Sequence, residues 1–126
     1  MSRFLELAEV LVLHDLALEL DGGSAGVLSQ AALESAVAQP QAEAFGQLLH
    51  ATLYEQAAAY LFHLSKAHAF VDGNKRTAFL AMVTFLQMNG VELEASEDEL
   101  FELCLDVAEG KLEKAQVAKW LEGCSS

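Results

Sequence analysis

Apolar residues recur at helical spacing along most of this 126-residue chain. Between residues 3 and 20, Phe4, Leu7, Leu11 and Leu18 share one side while Glu6, Glu9, Asp15 and Glu19 fall mostly off it, which predicts an amphipathic first helix. Gly22 and Gly23 stop that helix. Ser29 is placed to cap a second helix running toward Ala38, and Pro40 prevents its continuation. Residues 40–46 predict an irregular or hairpin-like excursion. Leu49, Leu53, Ala57, Tyr60, Leu61 and Leu64 then predict a third helix over 48–66. A fourth spans 74–88; residues 77–86 are apolar on every face, which predicts a helix surrounded by protein and too short to cross a bilayer. Asn89-Gly90 ends it. Ser96-Glu97-Asp98-Glu99 forms a capping box for a fifth helix ending near Gly110, and 113–121 offers a sixth. Val91 to Ala95 is the one stretch whose alternation suits a strand. The pattern is that of an all-α fold, a compact bundle of about six helices with at most a minor β element.

At this length one domain, spanning 1–126, buries a true hydrophobic core, and an apolar fraction of 53% without low-complexity tracts argues for a globular chain. The formal charge of −12, with only seven Lys and Arg, excludes general nucleic-acid binding as the expected role. The Leu-rich stretch from Phe4 to Leu20 carries too many charges for a signal peptide or a membrane span, so no membrane and a cytoplasmic location are expected. Cys104 and Cys124 match no metal or redox spacing; Cys104 reads as a small core side chain.

Charge then singles out one segment. Lys66, Lys75 and Arg76 are the only cations between Arg3 and Lys111, and two of them close the run His68-Ala69-Phe70-Val71-Asp72-Gly73-Asn74-Lys75-Arg76, which leads into the fourth helix. A helix amino terminus attracts anions through its unpaired N–H groups and its dipole, and two cations in its first turn are unfavourable there unless an anion joins them. Gly73 lets a phosphate approach the backbone, and Asn74 can offer its amide to a phosphate oxygen. Arg76 suits a two-pronged grip, and Lys75 acts as a mobile point charge. Asp72 fits Mg²⁺ shared with nucleotide phosphates. His68 is the natural general base, and Phe70 turns inward to pin the loop. Only Asp72 lies close in sequence as an acidic partner for Lys75 and Arg76, so local ion pairing does not account for both.

Other polar residues read as structural. His14 beside Asp15 reads as a packed or capped side chain, and His50 and His63, without partners at ligand spacing, read as ordinary helix residues. Glu34 reads as a solvated or capping carboxylate, Trp120 as an edge-of-core anchor, and Lys111, Lys114 and Lys119 as a polar helix face.

The run from His68 to Arg76 resembles the Fic/Doc signature His-Pro-Phe-x-x-Gly-Asn-Gly-Arg, with Ala69 in place of proline and Lys75 in place of the second glycine. That form is similar to the Doc branch, the death-on-curing toxins. Leu13-His14-Asp15, Gly22-Gly23 with Gly26, Leu33-Glu34-Ser35-Ala36, Pro40-Gln41, Thr77-Ala78, Asn89-Gly90 and Ala108-Glu109-Gly110 also look like the branch, so the resemblance covers most of residues 11–121. It implies a Fic fold that transfers part of a nucleoside triphosphate to a protein hydroxyl. Carried over, His68 is the base, Asp72 binds Mg²⁺, and Gly73, Asn74 and Arg76 bind phosphates. Most Fic proteins transfer AMP; the Doc branch implies an ATP-dependent kinase acting on a threonine of elongation factor Tu and arresting translation. Lys75, long and charged where Fic proteins have glycine, favours presenting the γ end of ATP.

Lys66 resembles a basic position in a phage member of the branch and is expected to steer nucleotide or substrate; Leu80 departs from a polar residue there. The inhibitory pattern Ser/Thr-x-x-x-Glu-Gly/Asn is missing, since Leu105 precedes Glu109-Gly110 and Ala118 precedes Glu122-Gly123. Restraint is therefore expected from a Phd-type antitoxin seated in a groove. Three readings stand: a toxin kinase, an AMP transferase, and a non-catalytic Fic-fold binding module.

Overall fold

The computed structural model describes residues 2–125, and six helices account for most of them. The first, α1 (Leu7–Asp21), begins four residues later than the periodicity predicts, because the Glu9 carboxylate reaches back 3.0 Å to the Glu6 N–H and fixes the start there. Its buried line is Val10, His14 and Ala17; the stripe expected to face inward is only half-buried, and Val12, Leu16 and Leu20 face solvent. Leucines on every side of this helix blur the pattern from which its inner face would be read.

Ser29 caps α2 (Gln30–Ala38) by accepting from the Ala32 N–H at 3.1 Å. A short 3-10 turn, Gln39–Gln41, carries the buried Pro40. The predicted excursion follows as a small antiparallel hairpin, β1 (Glu43–Ala44) against β2 (Gln47–Leu48). This hairpin delays the next helix, which starts at Leu53 behind a Thr52 cap rather than near 48. Conversely, Val91 to Ala95 is no strand: Leu93 makes a single bridge to Ser125.

The helix α3 (Leu53–Ala67) is the centre of the molecule, packed against α2, α4 (Asn74–Met88), α5 (Glu97–Ala108) and α6 (Lys114–Gly123). Ala57, Ala58 and Ala59 are fully buried, as are Ala78 and Ala81 of α4, and small side chains of this kind let helices approach closely. Around them Tyr60, Leu61, Met82, Phe85 and Leu86 fill the core, each such side chain worth about 1.5–3 kcal/mol of burial. The buried Tyr60 hydroxyl accepts from the Leu5 N–H at 2.8 Å. Ser96 and Glu99 form the predicted capping box of α5.

The fourth helix is not surrounded on all sides. Leu80 and Val83 line an open groove of about 660 Å³ shared with Val91, Leu93 and Leu100. No helix among the described residues is long and apolar enough to cross a membrane.

Candidate functional site

The loop joining α3 to α4 is held by backbone and side-chain bonds along its whole length. His68 ends α3 in the left-handed conformation at φ 48°, and its side chain is exposed. Ala69 offers its carbonyl to the N–H groups of Leu28 at 2.7 Å and Ser29 at 3.2 Å, and the Val71 N–H donates to Gly26 at 3.0 Å. The stretch between α1 and α2 thus runs alongside the loop.

Phe70 is 2% exposed and lies flat on the His14 ring, with centroids 3.7 Å apart and planes 9° from parallel. His14 Nε2–H donates to the Asp72 carbonyl at 2.8 Å, which sets the tautomer of that imidazole. Asn74 bends back onto Phe70 twice, accepting from its N–H at 3.0 Å and donating to its carbonyl at 2.9 Å. Its amide therefore shapes the loop. Phe70 faces inward as its sequence context predicts.

Gly73 precedes α4 at φ 84° and no side chain caps the helix. The first N–H groups of a helix have no carbonyl to reach within it, so those of its opening turn remain available to an anion. Around that turn a hollow of about 510 Å³ is lined by His68, Asp72, Gly73, Asn74, Lys75 and Arg76, with Asp21, Gly22, Gly23, Ser65 and Phe101 opposite. The larger groove beside α4 has Glu92 and Glu97 in its lining and no cation, which is the wrong chemistry for phosphate.

Asp72 accepts from the Ser24 N–H through Oδ2 at 2.7 Å. Oδ1 makes no hydrogen bond to any of the described residues, so one hard oxygen is open toward a cation. Among the described residues no three His, Cys, Asp or Glu side chains form a metal cluster, so Asp72 by itself would supply only a small part of a divalent ion's shell. Lys75 is exposed and pairs with no carboxylate among the described residues.

Arg76 does find acids. Asp21 grips it through two hydrogen bonds and Glu97 lies 3.6 Å away. The Asp21 hydrogen bonds foremost, with the negative charge of both residues, raise the Arg76 pKa above its ordinary value although partial burial opposes them. Local ion pairing does not account for either cation, as the sequence suggests: the partners of Arg76 come from 55 and 21 positions away.

A profile of the Fic/DOC family matches residues 4–86. The chain belongs to the Fic/Doc family. It is 43% identical over 98 residues to a protein named Toxin Doc from Mycolicibacterium smegmatis, covering 78% of this chain and 73% of that one. It is also 32% identical over 120 residues to Protein kinase doc of Escherichia phage P1, covering 94% and 93%. Both relatives support the Doc branch of Fic/Doc.

Two expectations about the Fic/Doc signature's surroundings shift. Lys66 does not line the hollow; its ammonium sits 5.7 Å from the Phe62 ring. Leu80 faces the separate groove, away from the hollow. Sequence reasoning passed over Asp21, Ser24, Ser65 and Phe101. Ser65 is 3% exposed and its hydroxyl has no hydrogen-bond partner among the described residues, a signal that only the coordinates carry.

His50 and His63 are not independent helix residues either. His50 lies before α3, and Lys114 donates to Nε2 of both rings, at 3.2 Å and 3.0 Å. Burial first, then the positive charge of Lys114, pushes the His63 pKa down to about 4, and the same two causes lower that of His50. Lys114 is therefore half-buried rather than part of a solvated face. Burial also pushes the Cys104 thiol up to about 12, consistent with an inert core side chain.

Proposed function

We propose that this chain is a single-domain toxin, residues 1–126, of a toxin–antitoxin pair: a protein kinase that transfers the γ-phosphoryl group of ATP to a threonine of elongation factor Tu and arrests translation in the cytoplasm. The observation that carries the reading is the convergence of His68, Asp72, Lys75 and Arg76 on one hollow at the uncapped amino end of α4. The printed name of the phage relative, Protein kinase doc, supports phosphoryl rather than nucleotidyl transfer.

In this reading the hydroxyl oxygen attacks the γ phosphorus, the bond from that phosphorus to the β-bridging oxygen breaks, and ADP leaves. His68 takes the hydroxyl proton; it is exposed, as an acceptor for an external substrate must be. Asp72 would hold Mg²⁺ jointly with the phosphates, an ion that would supply neutralisation of the charge on the leaving group. Gly73 and the opening N–H groups of α4 cradle phosphate oxygens, while Lys75 and Arg76 add positive charge. Asn74 contributes by holding the loop's shape. Lys75 occupies space where a smaller residue would admit the α-phosphate, which favours the γ end. Lys66, outside the hollow, is left a role in approach of substrate or nucleotide.

Restraint comes from a Phd-type antitoxin whose segment fills an apolar groove such as the one beside α4. The decisive test is incubation with elongation factor Tu and ATP labelled separately at the α and γ positions. Label from the γ position on the target, abolished in H68A, is expected. Label from the α position would replace kinase by AMP transfer, and growth arrest by H68A equal to wild type would favour a binding module.

A further inference from the structure

Arg76 meets acids on two sides. Asp21, the last residue of α1, accepts from Nε at 2.8 Å and from Nη2 at 3.1 Å, while Nη1 lies 3.6 Å from Glu97 at the start of α5. Asp21 lines the hollow; Glu97 belongs to the groove beside α4. A carboxylate held two-pronged on the Nε–Nη2 edge has the geometry that a phosphate takes there, so the two cannot hold that edge together.

We propose that Asp21 sets the affinity of the site: its carboxylate occupies the fork of Arg76 and must yield it to a phosphate of the incoming nucleotide. This rests on the reading that the hollow takes a polyphosphate. The exposures say which partner gives way. The Arg76 side chain is 16% exposed and its guanidinium carbon stands 4.2 Å from the Phe101 ring centre, so the cation is fixed by packing. The Asp21 side chain is 42% exposed, at a helix end followed by Gly22 and Gly23, so water takes over its hydrogen bonds once it turns away. Its negative charge also opposes phosphate directly. Both effects weaken nucleotide binding relative to what Arg76 would otherwise achieve.

The test is calorimetric titration of Mg²⁺–ADP into wild type, D21N, R76A and the double variant, with a melting temperature for each. Displacing a partly exposed pair predicts tightening by about two- to fivefold in D21N. R76A weakens binding, and by more in the D21N background than in wild type, because the arginine is no longer masked. D21E, which keeps the charge, stays within about twofold of wild type, and E97Q changes affinity less than D21N. Unchanged or weaker binding in D21N, an additive cycle, tightening in D21E equal to that in D21N, or an E97Q effect as large overturns the assignment to Asp21. Wild type that binds no Mg²⁺–ADP removes the phosphoryl-transfer reading itself, a result distinct from normal binding that ignores Asp21.

Discussion

His14 holds the backbone of Asp72: its Nε2–H reaches the Asp72 carbonyl at 2.8 Å while its ring stacks on Phe70. The histidine sits outside the hollow yet fixes the segment that presents a metal-type carboxylate to it. Replacing it with Ala removes both the stack and the hydrogen bond and leaves a cavity, for an expected loss of about 2–4 kcal/mol in urea unfolding. H14F keeps a ring against Phe70 and leaves only the carbonyl unmet, for a loss of about 1–2 kcal/mol. Equal losses in the two variants would show that the stack contributes nothing.

Gly23 and Asp72 are nearly in contact. A Cβ at Gly23 would stand 2.9 Å from the Asp72 Cβ, and the backbone there has φ 116°, a region L side chains rarely adopt. G23A is expected to cost about 1–3 kcal/mol and to displace Asp72, so that transfer needs a higher Mg²⁺ concentration. G90A is the control, with φ 80° and open space around the new methyl. It should lose about 1 kcal/mol and keep the Mg²⁺ dependence of wild type. A Mg²⁺ titration of transfer activity in both variants checks the difference.

Leu80 lies on the groove side of α4, away from the hollow. L80S should bind Mg²⁺–ADP within about twofold of wild type while losing roughly 1 kcal/mol of stability from its half-buried position. Calorimetric titration decides; a tenfold change in affinity would place the nucleotide elsewhere.

Acid should weaken the packing of α6 onto α3. His63 has a folded pKa of about 4, below its ordinary 6.5, from burial and from Lys114; His50, which Glu55 also faces, is shifted the same way. The folded state thus binds fewer protons than the unfolded one, so the stability these rings contribute is present above about pH 6.5 and lost as pH falls toward 4. For His63, allowing for solvent screening, the loss is about 1–2 kcal/mol. Urea unfolding at pH 7.5 and 4.5 measures it, and K114Q, which removes the like charge, should lose less between the two.

Much of the fold could be read in advance because its signals are local. The caps at Ser29 and Ser96, the stop at Asn89-Gly90 and the start of α4 depend on residues within a few positions of one another. The spacing starts the third helix five residues early because Leu49 continues its apolar line; pairing of Gln47–Leu48 with Glu43–Ala44 takes that stretch into the hairpin. On α1 the spacing points to a face of Phe4, Leu7, Leu11 and Leu18, but leucines on every side weaken that signal, and packing instead buries the line that sets His14 against Phe70.

The signature from His68 to Arg76 was legible for the same reason: consecutive residues carry the imidazole, the carboxylate, the glycine and the cations into one helix start. What the sequence by itself determined is the set of helices, their caps and the chemical content of that loop. Only the tertiary structure decided that Asp21 would take the fork of Arg76, that Ser24 and His14 would hold Asp72, and that Lys114 would stand between His50 and His63. The physical reason is range. Caps and periodicity act over a single helical turn, whereas hydrogen bonds and charge pairs also join groups that packing brings within about 3 Å from any distance along the chain.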